Sequence, residues 1–282
     1  MIAPVVSADQ LANLQRERDV VLADVRWYLD GRDGYAAFEA AHLPGAIWID
    51  LHHRLAGHDL PATEGRHPLP TPDDFSAAMS QYGIGDDTVV VAYDDAGGIT
   101  AGRLVVMLRM LGRDAALLDG GLTAWAAEGR AVATGPAQLP TARSFTTTPW
   151  PADRLASTAE TVAHAAAGGT VIDARPRERF TGEVTAIDPR PGHVPGARSA
   201  PWTAVLGPDQ HLLPTERLLA YYRDLGAADD TIAYCGSGVS ACMNVIAMEH
   251  AGLTPPRLYV ASFSGWSADD ANPVELGDPH GS

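Results

Sequence analysis

Cys235-Gly236-Ser237-Gly238-Val239-Ser240-Ala241 follows a short apolar run, Thr231-Ile232-Ala233-Tyr234, and leads into a longer apolar stretch over residues 241–251. The first run reads as a buried strand behind the acidic pair Asp229-Asp230, the second as a helix closed by Gly252. The cysteine is therefore expected where a strand ends, a glycine-bearing loop turns and a helix begins. Gly236 and Gly238 permit backbone angles that aim successive N–H groups inward, and the helix N-terminus adds partial positive charge. Such a place stabilises an anion, and the thiolate of Cys235 is the anion at hand. A lone cysteine is usually a small core residue; the strand–Cys–Gly–x–Gly–helix context favours a nucleophile instead.

Working outward from this loop, the chain repeats itself. Val21-Leu22-Ala23-Asp24-Val25-Arg26 is echoed by Val171-Ile172-Asp173-Ala174-Arg175, and His42-Leu43-Pro44-Gly45-Ala46 by His193-Val194-Pro195-Gly196-Ala197. Tyr93-Asp94 falls opposite Tyr234-Cys235, and Trp125 opposite Trp266. The offsets are 149 (Asp24 to Asp173), 151 (His42 to His193) and 141 (Tyr93 to Tyr234), so the first copy carries about ten extra residues, expected in the loop 54–72. Apolar runs at residues 20–24, 46–50, 88–93 and 115–118 alternate with amphipathic segments at 34–41, 71–82, 100–111 and 123–128. That alternation predicts an α/β fold of two tandem domains, each a mainly parallel sheet flanked by helices. Ligands of such sheets bind at the carboxyl ends of the strands, where Cys235 lies. Residues 1–135 are expected to form one domain and 158–282 the other. The proline- and threonine-rich stretch 136–157 has linker composition, with Phe145 and Trp150 indicating that it packs on the domains.

With 282 residues, 46% hydrophobic and 20% charged, the chain has the composition of a globular protein with room for two cores. A formal net charge of −15 disfavours nucleic acid and anionic membranes as partners. Any anionic substrate must then be drawn in by local arginines. Only two cysteines are present, Cys235 and Cys242, seven residues apart, which is the usage of a reducing compartment. No basic leader segment and no apolar run of membrane-spanning length are visible, so the cytoplasm is the expected location.

The duplicated unit, the D-x-R after the first strand, the H-[LV]-P-G-A turn and the cysteine loop together resemble the two-domain rhodanese-like sulfurtransferases, over nearly the whole chain. The resemblance implies tandem α/β domains with catalysis in the second. Asp94 stands where the second copy has Cys235, and a carboxylate there cannot attack sulfur, so the first domain is expected to be catalytically inactive. Loops of the form C-G-S-G-V-[TS]-A resemble those of 3-mercaptopyruvate sulfurtransferases, whereas thiosulfate-specific rhodaneses carry basic residues after the cysteine. Physical chemistry agrees: thiosulfate is a compact dianion, mercaptopyruvate a monocarboxylate whose charge lies some way from its sulfur. From Gly236 to Ala241 the loop is uncharged.

By the same resemblance, Arg179 and Arg190 are the substrate-binding arginines, since a guanidinium grips a carboxylate bidentately. Gly236, Gly238, Val239 and Ser240 complete the cradle around the sulfur. Arg26 and Arg175 are expected to make structural ion pairs. Ser237 and His67, the latter in Gly65-Arg66-His67-Pro68, are candidates for polarising the donor and moving a proton. The family's third member of such a relay is an acid, but His52 stands at that position, with Asp50 near it. The histidines His52, His53 and His58 lack the spaced carboxylate or cysteine partners of a metal site. Near the end, Tyr259-Val260-Ala261-Ser262-Phe263-Ser264-Gly265-Trp266 departs from the family's Y-x-G-S-W-x-E-W. Gly265 in place of the carboxylate is expected to loosen that turn.

These residues point to double displacement without a cofactor. Cys235 takes sulfur from 3-mercaptopyruvate as a persulfide and passes it to a thiol, a thioredoxin-like protein or cyanide. The alternatives are a thiosulfate:cyanide sulfurtransferase and a persulfide carrier without turnover. A cysteine phosphatase would need an arginine six residues after the cysteine, where Ala241 stands.

Overall fold

Among the described residues the named strands pair in parallel and build two sheets of related order, with isolated antiparallel bridges at His42–Ala133 and His193–Glu275. In the computed structural model, which describes residues 1–185 and 187–278, the first sheet contains β1 (Val5–Val6), β2 (Val20–Asp24), β3 (Ile47–Trp48), β4 (Val89–Tyr93) and β5 (Ala115–Leu118). Their order is β1-β5-β4-β2-β3. The second contains β6 (Val171–Asp173), β7 (Arg198–Ser199), β8 (Ile232–Tyr234) and β9 (Arg257–Leu258), in the order β7-β6-β8-β9. Read from the other edge, β9-β8-β6-β7 is the order β5-β4-β2-β3 of the first sheet without its edge strand β1. The duplication visible in the sequence is thus a duplication of topology. Helices flank the strands, whose central members are buried from end to end, as parallel sheets covered on both faces require.

The repeated motifs do the same work in each copy. The Tyr93 hydroxyl accepts the Leu43 N–H at 3.0 Å, and the Tyr234 hydroxyl accepts the Val194 N–H at 3.1 Å. Arg26 pairs with Asp24 and Arg175 with Asp173, both buried, and each arginine also donates to a backbone carbonyl, of Ala41 and Gly192 respectively. His42 stacks on Phe38 at 3.9 Å, His193 on Phe180 at 3.7 Å. These contacts clamp the H-x-P-G-A turn onto the central strand, which is why the residue types recur in register.

Compact units do not follow the sequence halves. One comprises Met1–Gly57, Leu69–Pro151 and Gly207–Leu212; the other His58–Pro68, Ala152–Leu206 and Leu213–Ser282. The stretch expected to be a linker is mostly part of the first unit. There Phe145 meets Phe75 edge-on at 5.9 Å, and the Trp150 indole N–H donates to the Pro70 carbonyl at 2.8 Å. Residues His58–Pro68, inside the sequence insert of the first copy, are the larger exception. They fold with the second sheet.

Candidate active site

Cys235 directly follows the last residue of β8 and is 1% exposed. Its sulfur accepts the Gly238 N–H at 3.1 Å and the Ser237 N–H at 3.5 Å, an arrangement suited to an anionic sulfur. Val239 and Ser240 form the turn into helix Ala241–His250, their carbonyls accepting from Cys242 and Met243. That helix start has no side-chain cap, so the dipole's positive end faces the loop.

The stretch 259–264, which the sequence marked only as a departure from the family pattern, holds the loop in place. Ser262 accepts the Cys235 N–H at 3.2 Å through its hydroxyl, which itself donates to the Tyr259 carbonyl. Phe263 and Ser264 donate their N–H groups to the carbonyls of Cys235 and Gly236 at 2.9 and 3.0 Å. Ser262 has φ 53°, a left-handed conformation that costs a non-glycine residue about 1–3 kcal/mol. The two bonds it permits to the backbone of Cys235 and the third to that of Gly236 account for that strain.

Segment His58–Pro68 docks against the same stretch. A Cβ built on Gly265 would lie 2.5 Å from the Thr63 carbonyl oxygen, and one on Gly65 would lie 2.3 Å from that of Ala261. The departure from the family pattern at Gly265 is thereby explained. The position has no room for a carboxylate, and instead of loosening the turn, glycine lets two backbones touch. The Ser264 hydroxyl then accepts the Arg66 N–H at 3.0 Å.

This docking delivers two side chains to the cysteine loop. His67, 4% exposed, is hydrogen-bonded through Nδ1 to the Ser237 hydroxyl at 3.0 Å. The Arg66 guanidinium comes to Gly236 together with that of Arg179. A Cβ on Gly236 would lie 2.7 Å from Arg179 Nη2 and 2.9 Å from Arg66 Nη2, so any larger residue there would displace the two guanidiniums from where they now meet. Asp188 bridges them, Oδ1 to Arg66 Nη1 at 2.8 Å and Oδ2 to Arg179 Nη2 at 2.6 Å. Burial alone would raise the Asp188 carboxyl, but the hydrogen bonds and charges of Arg179 and Arg66 outweigh it and hold the group below its usual range. Arg179 Nε is buried with no hydrogen-bond partner among the described residues. A donor left in that state marks a place where an acceptor belongs.

Arg190 is placed differently from the sequence expectation. Its guanidinium donates to the carbonyls of Trp266, Ser267, Asp269 and Asn272 at 2.7 to 3.3 Å. With its N–H groups directed to four backbone oxygens it braces the C-terminal segment, and Arg66 takes the second position at the loop. Arg66 sits beside a histidine that the sequence did single out; adjacency to His67 was the available signal. Elsewhere, Asp50 holds the His53 ring at 2.7 Å, and among the described residues no group of three or more His, Cys, Asp or Glu could hold a metal ion. Cys242 is buried, its thiol donating to the Gly238 carbonyl at 3.5 Å.

In the first unit, Asp94 occupies the place of Cys235 and fills the loop itself. Its carboxylate accepts the N–H groups of Ala96, Gly98, Thr100 and Ala101 and the Thr100 hydroxyl, all within 3.0 Å. The loop that meets a sulfur in one copy is closed by a built-in anion in the other.

The family profile of the rhodanese-like domain matches residues 7–128 and 157–269. A probable 3-mercaptopyruvate sulfurtransferase of Pseudomonas aeruginosa is 40% identical over 283 residues, covering 98% of this chain and 99% of that one. A putative thiosulfate sulfurtransferase of Mycobacterium tuberculosis is 38% identical, with 96% of each chain covered. Among solved structures, the 3-mercaptopyruvate sulfurtransferase of Leishmania major is similar with a TM-score of 0.80 and 30% identity, over 93% of this chain and 73% of that one. SseA of Escherichia coli is similar with a TM-score of 0.80 and 28% identity, over 93% and 99%.

Proposed function

The chain belongs to the rhodanese family and is a sulfurtransferase, and on that premise we propose that its donor is 3-mercaptopyruvate and that Cys235 carries the sulfur as a persulfide. One observation carries the reading: the guanidiniums of Arg66 and Arg179 meet over Gly236, with the buried Nε of Arg179 unpartnered, beside a sulfur already held by two N–H groups. The donor's carboxylate lies against the arginines while its sulfur faces Cys235.

The Cys235 thiolate attacks that sulfur, the C–S bond breaks, and its electron pair stays on carbon as the enolate of pyruvate. The thiol proton of the donor passes to that carbon, with the Ser237 hydroxyl and His67 within reach of the developing charge. The persulfide's terminal sulfur lies against the loop N–H groups and the helix start. A thiol, a thioredoxin-like protein or cyanide then attacks it and regenerates the thiolate. Both cysteines are free thiols, in keeping with a reducing compartment, and we assign the protein to the cytoplasm. No helix of the described residues is long and apolar enough to cross a membrane.

A second reading, thiosulfate as donor, is favoured by Arg66, which puts a cation at the loop where the sequence showed none. Steady-state comparison of the two donors with cyanide as acceptor decides. We expect kcat/KM for 3-mercaptopyruvate to be higher by at least about tenfold, or about 1.4 kcal/mol in transition-state binding. Thiosulfate as the better donor would reverse the assignment.

A further inference from the structure

We propose that Asp188 sets the charge preference of this site, cancelling one of the two guanidinium charges at the cysteine loop and so selecting a singly charged donor over a dianion. The inference rests on the donor reading above and adds the residue that enforces it. Asp188 is 7% exposed and touches three arginines: Arg66 at 2.8 Å, Arg179 at 2.6 Å and Arg175 at 3.3 Å. Arg175 is already neutralised by Asp173 at 2.6 Å, in a pair that is fully buried. What remains at the loop is Arg66, Arg179 and Asp188, with a net charge of +1 that the Cys235 thiolate brings to zero. A monocarboxylate then takes the sum to −1 and thiosulfate to −2, one more uncompensated charge beside Arg179, 12% exposed, and Arg66, 32% exposed.

Discrimination here is by an uncompensated charge against the wrong donor, the device by which sites reject close analogues. An uncharged residue at 188 would leave the two guanidiniums opposed by the Cys235 thiolate alone, which suits a compact dianion better. The carboxylate is well placed for this role because Arg66 and Arg179 arrive from separate segments of the chain, and Asp188 contacts both through its two oxygens.

The experiment measures kcat/KM for 3-mercaptopyruvate and for thiosulfate, with cyanide as acceptor, in the unmodified protein and in Asp188→Asn, Asp188→Ser and Asp188→Glu. Both neutral variants should lower the mercaptopyruvate-to-thiosulfate ratio at least about tenfold, chiefly through a lower KM for thiosulfate. Asp188→Glu, which keeps the charge, should hold the ratio within about threefold. Equal losses for both donors in the neutral variants, or their failure to fold while Asp188→Glu folds, would make Asp188 a brace for the arginines and overturn the proposal. The unmodified protein reads the donor assignment separately, since it fails if mercaptopyruvate is not the better donor, whatever the variants do.

Discussion

His67 Nδ1 lies 3.0 Å from the hydroxyl of Ser237, a residue 170 positions further along the chain, in a pocket that leaves the imidazole almost no solvent contact. Loss of sulfur from mercaptopyruvate leaves a carbanion that must take up a proton, whereas thiosulfate releases sulfite, which need not. His67→Asn should therefore lower kcat for mercaptopyruvate about a hundredfold and affect thiosulfate much less. Rate–pH profiles for the two donors check this; parallel losses would reduce His67 to holding Ser237.

Incubation with donor should add one sulfur, roughly 32 Da, to Cys235 and none to the buried Cys242. Peptide mass spectrometry locates it. Cys235→Ser should fold normally and lack all turnover, and residual turnover above background would rule out the persulfide route.

Asp94 should matter to stability and not to chemistry. Asp94→Asn removes the charge that five donors converge on and turns one acceptor oxygen into a donor, at a cost of about 2–4 kcal/mol. Denaturant midpoints measure the loss. Persulfide formation per folded molecule should be unchanged, and a specific loss of that step would give the first copy a chemical role.

For Arg190→Ala the bracing geometry predicts equal losses of kcat/KM for both donors and faster proteolysis of the C-terminal segment, with about 2 kcal/mol of stability removed. A loss confined to mercaptopyruvate would show that Arg190 grips the donor carboxylate after all.

His193 supplies a pH signature. Its ring is buried against Phe180, and burial lowers its pKa below the usual histidine value, the hydrogen bond to the Phe180 carbonyl opposing this less strongly. The unfolded chain then takes up the proton first as pH falls. Stability is full above about pH 6.5, declines below it, and levels off once the folded form also protonates. His193→Gln should flatten unfolding midpoints between about pH 7 and 5. Asp188, whose pKa is depressed, keeps its contribution above the ordinary carboxylate range and loses it as pH falls from there through its lowered folded value.

Legibility in the sequence followed the range of the interaction. Tyr93 and Tyr234, Asp24 and Asp173, His42 and His193 could be matched because each makes the same contact within its own copy, so selection on that contact leaves the same letters at steady spacing. Cys235 and its glycines were readable for a similar reason: strand, loop and helix are contiguous. Arg66 and Asp188 were not, because what defines them is a contact between segments over a hundred residues apart. Arg190 shows the converse. An arginine between two prolines looks alike whether it faces a ligand or a row of carbonyls, and only the four oxygens around it decide. Ser262 gave no signal at all, since a left-handed serine is set by its neighbours.

The contact of Gly65 and Gly265 with each other's turns bears on heredity as well as on geometry. A gene cut at its midpoint would give each product a sheet of its own, yet the fragment bearing the cysteine would lack Arg66 and His67, encoded in the other. The repeat that the sequence displays is therefore not a unit of function: neither half alone holds the full set of groups around the cysteine.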